Sequence, residues 1–147
     1  MKGAFSLTVQ ALINKEDMKK IEVILRKYKT YHAGKVILQE QLQSVLPSSV
    51  EMNDVMLMKR DFDNEIEYRF AKEIKKELQR YRLITYAVDV AIEQLDVIEN
   101  EFVHYRYFEN KAMKEISIEM GYGEKHLFNL RKRLLEKLFI SLRGLIS

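Results

Sequence analysis

Lys125, His126, Asn129 and Arg133 follow one another at intervals of one, three and four residues. In a helix that spacing places them on adjoining parts of one face. Their types suit recognition of nucleic acid. The Asn129 amide holds a donor beside an acceptor, the pattern that pairs bidentately with adenine, and Lys125 or Arg133 can donate to guanine or to a phosphate. His126 offers a ring nitrogen to a base edge or phosphate, or is a solvent-exposed filler. Glu124 can accept from cytosine N4, or simply favour the positive end of a helix. Lys111, Lys114, Arg131, Lys132 and Lys137 are candidates for phosphate contacts, which position a protein without specifying a sequence. Tyr122 is a further backbone-contact candidate, or a packing residue that closes a turn.

Other chemistry is thinly supported. Glu101 and His104 are three apart, the spacing of di-metal carboxylate bundles, but no second Glu-x-x-His exists. A surface pair or a partly buried His104 is the preferred reading. There is no Gly-rich phosphate loop, no Gly-x-Ser-x-Gly and no His-Glu-x-x-His. Asp61 and Asp63 read as a helix cap rather than an acid/base pair. The expectation is a protein that is not an enzyme and uses no metal or cofactor.

The residues that would read DNA need a rigid scaffold, and the stretch from Leu95 to Leu145 predicts one of three helices. The first runs from Asp96 to Phe108, with Asp96 as N-cap. Asn110-Lys111 marks a break. The second covers Ala112 to Met120, with Met113, Ile116 and Met120 on one face. The turn Gly121-Tyr122-Gly123 follows, with Gly121 suited to a left-handed backbone after a helix end. The third starts near Glu124 and runs toward Leu142. Leu127, Leu130, Leu134 and Leu138 form its apolar face, and Phe128, Leu135 and Leu142 lie beside them. A short helix, a glycine turn and a longer basic helix outline a helix-turn-helix. The bland alternative is a helical hairpin whose charges only solvate it. Charge placement favours the sharper reading. Residues 111–147 carry eight basic and four acidic side chains, whereas the whole chain is only +3, so the first 110 residues are net −1. Positive charge confined to the last quarter points to a polyanion.

Arg106-Tyr107-Phe108-Glu109-Asn110-Lys111, Glu115-Ile116, Met120-Gly121-Tyr122 and Leu130-Arg131-Lys132-Arg133-Leu134-Leu135-Glu136-Lys137-Leu138 resemble the region-4 helix-turn-helix of sigma factors. The chain is more closely similar to the ArpU/RinA family of phage and prophage transcriptional regulators of Gram-positive bacteria. Arg26-Lys27-Tyr28-Lys29-Thr30-Tyr31-His32 resembles a tyrosine-rich segment of RinA-like proteins. The resemblance is good over residues 95–142 and loose over the first half. Gly123 departs from the Ser or Thr that family members use to cap the recognition helix. Phe128 and Leu134 replace smaller or more polar residues, which predicts a third helix with more buried surface. The resemblance implies an activator of phage late genes, working in the cytoplasm of a bacterial host and touching RNA polymerase. No segment for core binding or promoter melting is visible, which argues against a full sigma factor.

Composition bounds the rest. At 147 residues, 47% hydrophobic and 32% charged, the chain fits one soluble domain or two small ones. Five glycines and one proline leave too few turns for a sheet protein. Zero cysteines exclude disulfides and are compatible with a reducing cytoplasm. No apolar run reaches the length of a membrane span, and no signal peptide is evident.

Met1 to Gln10 reads as a loose arm. Asn14 caps a helix from Lys15 to about Tyr28, with Met18, Ile21, Leu25 and Tyr28 on one face. Thr30 to Gly34 predicts a break. Val36 to Leu46 predicts a second helix, ended by Pro47-Ser48-Ser49. Met52, Met56 and Met58 read as flexible packing residues. Asp61 or Asp63 caps the longest helix, Asn64 to Glu93, whose stripe is Ile66, Phe70, Ile74, Leu78, Tyr81, Thr85 and Val88. Its later part is apolar nearly all round, which predicts burial there. A helix of about 30 residues is roughly 45 Å long, so it either spans the protein or pairs with another copy.

The chain is thus read as all-α: residues 1–93 form a helical oligomerisation region and residues 94–147 a helix-turn-helix domain. The expected partners are double-stranded DNA, RNA polymerase and further copies of the chain, with no membrane. The rival readings are a small terminase-like packaging subunit and a protein-interaction module of the anti-repressor kind.

Overall fold

The computed structural model describes residues 13–48, 50 and 56–146, and among them every regular element is helical. The readings of residues 1–10 and of Met52 lie outside the described residues.

Helix α1 is Lys15–Arg26. It starts where it does because the Asn14 side chain accepts from the Asp17 N–H at 2.8 Å and Glu16 and Asp17 occupy the positive end. Helix α2 is Tyr28–Val45. The expected break over Thr30–Gly34 is absent; the interruption falls at Lys27 instead. Gly34 is helical, and its reason is lateral. A Cβ there would lie 2.5 Å from Tyr81 Cε2, so glycine lets the Tyr81 ring lie against the helix backbone.

A 3₁₀ turn, Lys59–Asp61, precedes helix α3, Glu65–Ile92. Neither Asp61 nor Asp63 caps it. Asn64 does, accepting from the Glu67 N–H at 2.8 Å, because a cap must stand immediately before the first turn. Helix α4, Val97–Val103, passes into a π-helical turn, His104–Phe108. Helices α5, Met113–Met120, and α6, Glu124–Ile146, follow.

The described residues fall into two compact units, one made of 13–29 and 86–146, the other lying within Thr30–Thr85. This differs from a division at 93/94, because α1 joins the C-terminal helices. Its Ile21 and Leu25 are fully buried among Val88, Phe102, Tyr107, Ile116 and the leucines of α6. Sequence separation does not oppose such packing strongly, since loop-closure cost grows only logarithmically with length.

The second unit has its own core of Leu42, Phe62, Ala71, Ile74 and Leu78, with Phe62 edge-on to Tyr68 at 5.6 Å. The predicted stripe of the long helix holds at Ile74, Leu78, Thr85 and Val88, which are buried, and fails at its first two residues. Ala71, Ile74 and Leu78 face inward, whereas Ile66 is 80% and Phe70 56% exposed. The inner face there includes the fully buried Ala71, a residue too small to stand out in a pattern of bulky side chains. Leu83 and Tyr86 are also exposed, so the later part of α3 is not buried all round. Met56 and Met58 are exposed rather than packed. No described helix is long and apolar enough to cross a membrane.

Candidate nucleic-acid interface

The elements that carry the basic residues are pinned at each end. Asp96 accepts from the Glu99 N–H at 2.8 Å, and Glu99 returns the bond by accepting from the Asp96 N–H at 3.0 Å. This capping box starts α4. The π turn is closed by the Glu109 N–H donating to the His104 carbonyl at 2.8 Å. Asn110 then takes a positive φ of 57°, and Arg106 Nη1 donates to the Lys111 carbonyl at 2.9 Å. The expected break at Asn110-Lys111 is therefore a built loop, with asparagine in the left-handed region it tolerates.

Gly121 ends α5 with φ 74°, and its N–H donates to the Ser117 carbonyl at 3.0 Å. The Ser117 hydroxyl donates to the Tyr122 carbonyl across the turn. Gly123 accepts the first bond of α6 through its carbonyl, from the Leu127 N–H at 3.1 Å. A Cβ on Gly123 would meet nothing within 4 Å, so the missing cap side chain is not imposed by space.

Two faces of α6 are sorted by burial. Leu127, Leu130, Leu134, Leu135, Leu138 and Leu142 are buried. Glu124, Lys125, His126, Asn129, Lys132 and Arg133 are exposed, so all five proposed base readers share the solvent side of the first three turns. The His126 ring stacks on Tyr122, with centroids 4.8 Å apart and planes 27° from parallel. Tyr122 is half-buried and thereby ties the turn to the first residues of α6. Phe128, expected to add buried surface, is instead 53% exposed. Lys114 is exposed on α5.

Three of the phosphate candidates are already engaged. Arg131 forks onto Glu22 of α1, with Nη2 to Oε1 at 2.6 Å and Nε to Oε2 at 2.9 Å. The buried Tyr107 hydroxyl donates to the same carboxylate at 2.6 Å, and Arg26 lies over the Tyr107 ring at 5.4 Å. Burial pulls the Glu22 carboxyl up, but the hydrogen bonds from Arg131 and Tyr107 and the charges of Arg131 and Arg26 outweigh it and hold it below its usual value. The same contact holds the Arg131 guanidinium more firmly protonated, and burial with the Glu22 bond pushes the Tyr107 hydroxyl up. Lys137 donates to Glu99 Oε1 at 2.7 Å, joining α6 to the capping box of α4. Lys111 sits 3.6 Å from Glu119 and 4.0 Å from Glu109, with its ammonium 4.8 Å from the Tyr105 ring centroid.

Arg131, Lys137 and Lys111, expected to hold phosphates, thus each have an acidic partner within the protein, and the tie is firmest at Arg131. Withdrawing a forked guanidinium from a buried carboxylate would leave that charge unpaired, which outweighs a phosphate contact in water. Lys114 and Lys132 remain open.

The Glu22–Arg131–Tyr107 cluster was missed in the sequence, though a signal existed. Glu22 stands four after Met18 and three before Leu25, inside an apolar stripe. Arg131 stands four after Leu127 and four before Leu135. Charges set into two apolar rows imply a buried partner for each. His104 is exposed and edge-on to Phe108 at 4.8 Å. The described residues contain no group of three or more side chains placed to hold a metal ion. No family model matches the chain, and neither a curated protein nor a solved structure matches it.

Proposed function

We propose that this protein is a sequence-specific DNA-binding transcriptional regulator. In this reading α5, the turn at 121–123 and α6 act as a helix-turn-helix, and the first turns of α6 enter the major groove. The observation that carries it is the segregation of α6: Lys125, Asn129, Lys132 and Arg133 are all exposed opposite a continuous row of buried leucines. Neutral solvation of a helix needs no such basic row. Asn129 and Arg133 read base edges, with Glu124, Lys125 and His126 beside them. Lys114 and Lys132 hold phosphates.

The likeness to ArpU/RinA regulators and to sigma-factor region 4 extends the proposal to a phage or prophage activator of late genes that meets RNA polymerase in a bacterial cytoplasm. Ile66 and Phe70, exposed on α3, support self-association of the Thr30–Thr85 unit into a dimer or higher oligomer.

A gel shift with the purified full-length protein and its own upstream or late-promoter DNA tests the reading. Retardation at low salt that weakens steeply as salt rises is expected. Indifference to DNA in dilute buffer would end it.

A further inference from the structure

Phe128 does not fit the chemistry of its neighbours. It is the one large apolar side chain exposed in the first two turns of α6, between Lys125 three residues before and Lys132 four residues after. Its neighbours one helical turn away are Glu124, Lys125, Arg131 and Lys132, all charged. An exposed phenyl ring gains nothing from water, nor from a phosphate. In the major groove the base edges display donors, acceptors and a single kind of apolar group, the 5-methyl of thymine.

We infer that Phe128 reads a thymine by packing its ring on that methyl group. The inference rests on the major-groove reading of α6 and adds a base preference to it. Asn129, the next residue in the chain and about 100° round the helix, is suited to adenine, so the two side chains together favour an A·T-containing step. His126 is not a second reader of this kind, because its ring is stacked on Tyr122. The phenyl ring excludes water from the methyl and makes no hydrogen bond, so it separates thymine from cytosine but not from 5-methylcytosine.

The test uses the full-length protein and a duplex that it selects from a randomised pool. Each thymidine of that duplex is replaced in turn by deoxyuridine, which removes only the methyl. Wild-type protein loses about fourfold in affinity at one position or two, the worth of one buried methyl group. Phe128→Ala binds the thymidine and deoxyuridine duplexes equally and keeps its helical circular dichroism. Phe128→Leu, still apolar, keeps part of the discrimination. A selected sequence with the same deoxyuridine penalty for wild type and Phe128→Ala overturns the thymine contact and leaves the DNA reading intact. So does an unchanged affinity of Phe128→Ala for the selected duplex, which would assign the ring to a protein partner. A pool that yields no preferred sequence overturns both.

Discussion

Arg131 of α6 donates two hydrogen bonds to the carboxylate of Glu22 in α1, 109 residues earlier in the chain. This fork fastens α1 to the helix that carries the exposed basic row. The Tyr107 hydroxyl completes the cluster from the π turn. Removing either charge should therefore loosen the base of α6 without touching its outer face. Glu22→Ala is expected to lower stability in urea by about 2–4 kcal/mol, a little under the range for a fully buried pair because part of Arg131 meets water. Glu22→Leu with Arg131→Met should recover part of that loss, with the Tyr107 hydroxyl left without its acceptor. Additive losses in the double variant would show that the pair is not coupled.

Acid should find the same carboxylate. The folded-state pKa of Glu22 lies below its ordinary 4.5, so the unfolded chain takes up the proton first. The stability this group contributes is present above about pH 4.5 and is lost as pH falls through the lowered value. Asp96, also held low, chiefly by its bond from the Glu99 N–H, acts in the same direction. Urea midpoints measured from neutral to acid pH should fall in this window, and Glu22→Gln should flatten the fall. An equally steep fall in that variant would reassign the acid sensitivity to other groups.

At the alkaline end the sign reverses. Burial and the Asp89 bond push the Tyr28 hydroxyl up from 10.0 to about 12. Its contribution is present below pH 10 and is lost as pH rises through about 12. Tyr28→Phe should remove that dependence while keeping the ring stacked on Phe108, whose centroid is 5.0 Å away. Spectrophotometric titration of the tyrosines would show one fewer late-ionising group.

The engaged and open cations of the C-terminal helices should separate by salt. Lys132→Ala is expected to weaken binding to all DNA sequences and to lower the slope of log affinity against log salt by about 0.9, the value for one phosphate contact. Arg131→Ala and Lys137→Ala should leave the slope unchanged while costing stability. Asn129→Ala and Arg133→Ala should each weaken specific binding by about 1–3 kcal/mol. Equal loss on random DNA would remove either from the base readers.

Two glycines should respond oppositely. Gly34→Ala gains about 1 kcal/mol of helix propensity but drives a methyl into the Tyr81 ring, where overpacking costs typically 1–3 kcal/mol, so a net loss is expected. Gly123→Ser has open space and supplies the missing cap, for a gain of a few tenths of a kcal/mol. Thermal melts of the two variants would show shifts of opposite sign.

What the amino-acid order determined by itself was local. The start of α1 at Asn14, the Asp96 cap, the left-handed Gly121 and the leucine row of α6 were all legible, because caps, turns and helical periodicity act within a few residues. The sequence also located the outer face of α6, since residues opposite a buried row have nowhere else to point. Only the tertiary structure decided which cations are free. Arg131 and Lys132 are adjacent and carry the same charge, yet one meets a carboxylate brought from α1 and the other meets water. It likewise decided that Gly34 serves close packing rather than a turn, and that Phe128 faces outward although Leu127 and Leu130 beside it face in. Those outcomes depend on partners tens of residues away, and no local pattern encodes the distance at which two helices meet.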